Sequence, residues 1–424
     1  MANRIHLPYG RAGLTVDLSP FAAGCTVITK EPPQRPTLTA ADLHRAFDHP
    51  IQVRPLRELI RPDDALCIVT SDGTRPCKPM RFLLHGLFDY LGFVPGRTTV
   101  VTGSGSHRPH TEAELDDLFG RKLTSQMTIV SHDSRADDLI HVGTFLDGTP
   151  VTMNRRYVEA DRRIVLGHIE PHFFAGYTGG AKGIAPAVCG IETIHRIHSF
   201  AAVDDRSSAY GDIEDNHSSS LMREAAALAP PDFLVNCILD WEQNPTAIFA
   251  GQYIEAHRAG VRQARQWSEV VVDRRFPIVV TSNSGHPLDQ NLYQTVKGME
   301  AALRIVATGG TIVMASECAK GVPSGSRFEE LLTSSMTNET LLAYLSNDTG
   351  TIDDRWQVQR LLRTLAAGRI MLVSNLGREI TERCRLEYAA TVEEALLRLV
   401  DRESGQAEIA ILPHGPLIIP HVKR

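Results

Sequence analysis

Cysteine is scarce in this chain. Seven are scattered through 424 residues, an odd number, and none forms a C-x-x-C pair. That usage argues against a structural zinc site and fits reduced thiols in a cytoplasmic protein. Long hydrophobic runs are missing too. No apolar stretch approaches the ~20 residues of a membrane helix, and the start, MANRIHLPYG, lacks the apolar core of a signal peptide. No membrane association is expected. Excess positive charge is also lacking: 44 Lys and Arg face 50 Asp and Glu, so nothing electrostatic favours a nucleic-acid partner. Two further signatures fail. There is no H-E-x-x-H. The phosphate-loop pattern G-x-x-x-x-G-K-S/T is not met, because Ala181 precedes Lys182 and Gly183 follows it. A nucleoside-triphosphatase is therefore disfavoured.

What remains is an ordinary globular composition, 42% apolar and 22% charged, enough for a sizeable core at a length that suits about two to three domains. Short β-rich runs at 65–70 (ALCIVT), 98–102, 127–131 and 163–167 alternate with helical patterns such as 80–93. Thr111 and Glu114 are spaced as a capping box at the start of another helix. A second alternating series begins near Arg275, with strands expected at 278–281, 311–315, 370–374 and 408–412, and a helix at 391–400 opened by Thr391 and Glu394. The alternation predicts two α/β domains with mostly parallel sheets, residues 1–272 and 273–424, and an active site in the cleft between them. In such sheets ligands gather at the carboxyl ends of strands.

The chemistry-bearing clusters fall at those ends. Residues 171–186, PHFFAGYTGGAKGIAP, place Lys182 in a loop with four glycines. Alone, this reads as a turn with a solvated lysine. The seventeen histidines raise its interest. His107 lies in TGSGSHRPHT after one strand. His168 and His172 flank IEP after another. His195 and His198 stand three apart in IHRIHS, a spacing that can share a helix face and suits a metal. In SDGTRP, Asp72 and Arg75 follow a strand directly. The arginine can fork onto a carboxylate or phosphate, or simply pair with Asp72. In PLDQNLYQTVKG, Tyr293, Gln294 and Lys297 lie within about a helical turn. Two bases serving two faces of one carbon are what inversion of a stereocentre requires.

These motifs, with DDRWQ, resemble in order and spacing the nickel-dependent lactate racemase family and its close homologues, over most of the chain. The resemblance implies that Lys182 tethers a nickel-pincer nucleotide through a thioamide and that His198 completes the Ni2+ coordination, with His195 as its neighbour. It implies His107 and His172 as the acid/base pair. Asp72, Tyr177 and Trp356 are implied beside the cofactor. Arg75 is implied as the carboxylate clamp, joined by Tyr293, Gln294 and Lys297 at the substrate. The implied reaction inverts a 2-hydroxy acid by hydride transfer to the cofactor and back, and the implied partners are a small-molecule substrate and cofactor-maturation enzymes. Thr178 stands where members often carry serine. His110 and His286 are extra polar residues that either touch a larger substrate, such as a sugar acid or dicarboxylate, or serve only their own loops. A non-catalytic nickel or cofactor binder is the alternative from another class.

Overall fold

The structure is a computed structural model that describes residues 4–30, 38–125, 127–348, 352–400 and 408–423. Among these residues, two six-stranded sheets are built from β1 (Cys25–Val27), β2 (Ala65–Ser71), β3 (Arg97–Gly103), β4 (Thr128–Ser131), β5 (Arg162–His168), β6 (Phe233–Leu239), β7 (Pro245–Gly251), β8 (Phe276–Ser282), β9 (Val306–Ala315), β10 (Arg369–Val373), β11 (Glu387–Tyr388) and β12 (Ile409–Leu412). One sheet runs β7-β6-β5-β2-β3-β4 and the other β11-β10-β9-β8-β12-β1. Every pairing in them is parallel except β6 with β7. The expected mixed α/β class with mostly parallel sheets is what the chain forms.

Contacts divide the chain into two units, and the division is not a single cut. The N-terminal unit holds Pro32–Glu170 and Phe174–Gln266. The C-terminal unit holds Met1–Glu31, Pro171–Phe173 and Trp267–Arg424. The first residues were assigned by sequence to the first domain. They belong instead with the second, because β1 adds to its sheet beside β12, in register from Cys25 opposite Ile409. A three-residue strand carries too little periodicity to announce its partner.

In the N-terminal unit, β2 reads as a continuous apolar run because both of its faces are covered. Leu66 and Ile68 pack with Leu83, Leu84 and Leu87 of α1 (Cys77–Leu91). The helix buries residues at i, i+3, i+4 and i+7 spacing, the mark of one apolar face. It was expected over 80–93 but ends two residues sooner. Gly92 takes a left-handed conformation, φ 75°, and its N–H closes onto Phe88 O. α2 (Glu112–Phe119) opens with the expected reciprocal box between Thr111 and Glu114. At the helix Val392–Val400 the box is half formed. Thr391 Oγ1 accepts from the Glu394 N–H, while the Glu394 carboxylate accepts from Ala390 N–H.

Topology sets where function belongs. From β2 the chain winds outward through β3 to β4, then returns so that β5 lies on the other side of β2. The carboxyl ends of β2 and β5 therefore form a topological switch point, where loops diverge and leave a crevice. The C-terminal unit repeats the scheme: β9, β10 and β11 extend from one side of β8, and β12 lies on the other.

Candidate functional site

At the switch point of the N-terminal unit, β2 leads into Asp72–Arg75, β3 into His107 and β5 into Glu170. Asp72 is buried. Its Oδ1 accepts from the Thr74 hydroxyl at 2.6 Å and from Thr74 N–H at 3.2 Å. Its Oδ2 lies 2.5 Å from His107 Nδ1. Burial alone would raise this carboxyl. The His107 ring, the Thr74 hydroxyl and nearby Arg75 outweigh burial and hold it well below the usual carboxylate range. A carboxylate only accepts, so His107 Nδ1 carries the proton and the neutral ring's lone pair sits on Nε2. The pair is an imidazole with its orienting carboxylate.

Asp72 thus spends its hydrogen bonds on His107 and Thr74. Arg75 turns to Glu170, its Nε 3.4 Å from Oε1, both side chains 12% exposed. Glu170 also lies 3.3 Å from Nε2 of buried His168. His110 serves its own loop. Its Nε2 accepts from Gly73 N–H at 3.1 Å and its Nδ1 faces Ser131 Oγ at 3.0 Å. Both ring nitrogens are engaged, and burial lowers its pKa, so it holds the Asp72–Arg75 loop in its neutral form.

Lys182 lies in the short turn Gly180–Gly183. Its stem keeps some accessible surface, yet its amine is desolvated. Burial, and then the cation of Arg75, bring its pKa down to about 8, with Asp72 and Glu170 pulling the other way. The amine therefore shares its surroundings with Arg75 and with the carboxylate that orients His107. Thr178 ties this loop to β5: its hydroxyl accepts from Glu170 N–H at 3.0 Å and donates to His168 O at 2.9 Å. A serine would do the same. Tyr177, buried, and Lys182 also line a small cavity that includes Arg223 and Arg258. Those arginines are already engaged, Arg258 by Glu214 and Glu255 and Arg223 by backbone carbonyls and serine hydroxyls. The cavity is therefore no ready anion site, and His107 and Arg75 do not line it.

His198 caps the carboxyl end of α3 (Ile191–Ile197) and is buried against Phe174, ring to ring at 5.4 Å. Its Nδ1 donates to Ile194 O at 2.9 Å. That fixes the tautomer and leaves the lone pair on Nε2, as metal-binding imidazoles are usually prepared. His195 is buried on the same helix. Among the described residues, no group of three His, Cys, Asp or Glu side chains is placed to hold a metal by itself. The residues fit the expected cofactor on two counts: a desolvated amine for the covalent link and an imidazole whose tautomer is fixed by Ile194 O.

In the C-terminal unit, His172 is buried in the short strand Pro171–His172, its ring 4.9 Å from that of Phe173. Arg360 anchors this segment. Its Nη2 donates to Phe173 O at 3.3 Å, and its guanidinium is gripped at 2.8 Å by buried Glu300. α4 (Tyr253–Ser268) precedes this unit's sheet. After β8 comes α5 (Leu292–Leu303), capped by Asn291, whose side chain accepts from Gln294 N–H. On it, Lys297 Nζ donates to Gln294 Oε1 at 2.5 Å. From α6 (Arg355–Ala367), Trp356 Nε1 donates to Tyr293 Oη at 2.8 Å. Tyr293, Gln294, Lys297 and Trp356 thus gather in one patch. His286 is part-buried and lies 3.1 Å from Arg11, while its own N–H donates to Gly10 O. Sequence reasoning missed Glu170 and Arg360. The first stood in plain view within IEP. The second carries no motif, because its partner is 187 residues away.

Fold and site together define a mostly parallel, two-unit α/β protein with a histidine–carboxylate pair and a desolvated lysine at a switch point. The lactate racemase N-terminal domain family matches residues 9–211, and the lactate racemase C-terminal domain family matches residues 271–419. The chain is 31% identical over 431 residues to a lactate racemase of Thermoanaerobacterium thermosaccharolyticum, covering 100% of both. It is 30% identical over 418 residues to that of Lactiplantibacillus plantarum, covering 97% of this chain and 98% of the other. The solved lactate racemase apoprotein of T. thermosaccharolyticum superposes with a TM-score of 0.89 at 29% identity, covering 98% and 99% of the two chains. A Thermotoga maritima protein shares the fold at 15% identity, with a TM-score of 0.72 over 92% of this chain and all of the other. The chain belongs to the lactate racemase family.

Proposed function

We propose that this protein is a racemase of a small, lactate-like 2-hydroxy acid, an isomerase that works with a nickel-pincer nucleotide linked to Lys182. The observation that carries the reading is the grouping of the Asp72–His107 pair, Arg75 and the desolvated Lys182 amine at one switch point. Arg75 binds the substrate carboxylate, its guanidinium held in place by Glu170. His107 Nε2 takes the hydroxyl proton, and Asp72 stabilises the imidazolium that results. His172 serves the opposite face of the same carbon. Tyr293, Gln294 and Lys297 complete the substrate contacts. Tyr177 and Trp356 line the cofactor, which maturation enzymes would supply in the cytoplasm.

His198 Nε2 would ligate Ni2+, with the nucleotide supplying the remaining donors. When bound, the nucleotide supplies a hydride acceptor, which spares the poorly acidic α-hydrogen from removal as a proton. Lys182 would contribute a fixed attachment point, which would keep the nucleotide at the site without a binding equilibrium.

The substrate assignment stays with small 2-hydroxy acids. His110 and His286, the two residues that suggested a larger one, are engaged by Gly73 and Ser131 and by Arg11 and Gly10. The test is to incubate cofactor-loaded protein with each enantiomer of lactate and of longer and polar 2-hydroxy acids, and to follow composition by chiral chromatography. Interconversion of a short hydroxy acid is expected. Loaded protein that leaves every enantiomer unchanged would point to the non-catalytic cofactor binder.

A further inference from the structure

The turn before Lys182 is held by two residues that no motif singles out. His257, on α4 and buried, has Nε2 2.9 Å from Thr178 O. A carbonyl only accepts, so Nε2 carries the proton and donates. Asn236, on β6 and fully buried, accepts the Gly180 N–H on Oδ1 at 2.9 Å and anchors its own amide on Val235 O at 3.1 Å. The fit leaves room only for glycine. Gly179 and Gly180 have φ of 85° and 55°. A Cβ on Gly179 would come within 2.5 Å of Asn236 Oδ1, and one on Gly180 within 2.5 Å of the His257 ring. The Lys182 N–H then closes onto Gly179 O at 3.1 Å. The lysine backbone is thus hung from a turn gripped on both sides.

We propose that His257 and Asn236 are positioning residues that lock the Gly179–Gly180 turn and so lodge the Lys182 amine beside Arg75, Asp72 and Glu170. This rests on the reading of Lys182 as the cofactor-bearing lysine. The clamp works with the imidazole in its neutral form. Burial first, then the cations Arg223 and Arg258, push the His257 pKa down to about 4 against the pull of the Thr178 carbonyl and Glu214. It is therefore a donor with no charge to repel the incoming amine at neutral pH. Its role is mechanical: with the turn released, the lysine stem can swing its ammonium into water.

The experiment uses the cofactor-free full chain and reads no activity. Acetic anhydride labels amines only in their neutral form, so the extent of Lys182 labelling against pH, resolved by peptide mass, gives the amine's midpoint. For the native chain it should fall near 8. His257→Leu keeps bulk but has no donor. A folded His257→Leu should shift the midpoint upward by about one unit or more, a roughly tenfold smaller neutral fraction at pH 7. His257→Gln, whose amide can donate to Thr178 O, should stay close to native. A folded His257→Leu with the native midpoint overturns the proposal. Should that variant not fold, Gly180→Ala probes the same contact from the loop side, since its methyl must displace the imidazole; an unshifted midpoint there is equally fatal. The cofactor reading fails separately: no adduct on native Lys182 after maturation would remove it while leaving the labelling shifts, and hence the clamp, untouched.

Discussion

The two units carry their candidate residues in different ways. In the N-terminal unit the site groups meet charge or fixed polarity at close range: Asp72 holds His107, Glu170 holds Arg75, and Lys182 sits desolvated among them. Each contact sets a protonation state or a direction of approach. In the C-terminal unit, Trp356 donates to Tyr293 and Lys297 to Gln294. These residues hold one another and define a shape. The lesson is that one unit fixes protonation and direction through close ionic contacts, while the other fixes side-chain placement through hydrogen bonds among its own residues. His172 is the exception, an acid/base candidate carried by the C-terminal unit and steadied through Phe173 by the Glu300–Arg360 pair.

Substitutions of similar size should therefore have unequal effects. The largest is expected for Asp72→Asn. The amide cannot fix the His107 tautomer, and turnover should fall by about 10²–10⁴-fold in steady-state assays of loaded protein. The same change has a stability signature. The folded pKa of Asp72 is depressed, so its contribution is complete above about pH 4, the unfolded value, and fades as pH falls toward the folded one. The stability gap between native and Asp72→Asn should narrow on acidification below about pH 4, as read by urea unfolding. Next comes Arg75→Lys, which keeps the charge but loses the fork. KM should rise about 10–100-fold, more than turnover falls. Trp356→Phe should be milder, a few-fold in kcat/KM, because it removes one neutral hydrogen bond worth about 1 kcal/mol. If Trp356→Phe matched Asp72→Asn in its effect on turnover, the contrast between the two sets of contacts would be lost.

The smallest effect is an acid sensitivity that the two units share. Burial pushes His257 in one and His414 in the other down to about 4. The unfolded chain binds their protons near pH 6.5, so stability should decline as pH drops from about 6.5 to 4. Melting curves should show His257→Gln flattening that decline.

Much of the fold was legible because parallel strands buried on both faces leave apolar runs such as ALCIVT, and because Thr111 and Glu114 announce a helix start by spacing alone. The N-terminal strand Cys25–Val27 was not legible. Its partner, Ile409–Leu412, lies at the far end of the chain, and three residues bear no period. At the candidate site, Asp72, His107 and Arg75 could be named from their places after strands, but their pairings could not. Asp72 was expected to orient Arg75 or the cofactor; Arg75 is near it, but its hydrogen bonds go to His107 and Thr74, contacts set by how loops from β2 and β3 converge. Lys182 read locally as a solvated turn lysine. Its lowered pKa comes first from burial and then from the cation of Arg75, which no local window contains. His257 and Arg360 act on loops 79 and 187 residues away, so only the folded chain could show them.

The most direct measurement is the intact mass and visible spectrum of this protein after exposure to nickel-pincer maturation enzymes, beside Lys182→Ala treated identically. A nickel-bearing nucleotide adduct on the native chain at Lys182, absent from the variant, together with interconversion of a short 2-hydroxy acid by the native chain alone, is the expected result. Interconversion by protein of unmodified mass, or an adduct that persists without the lysine, would contradict it.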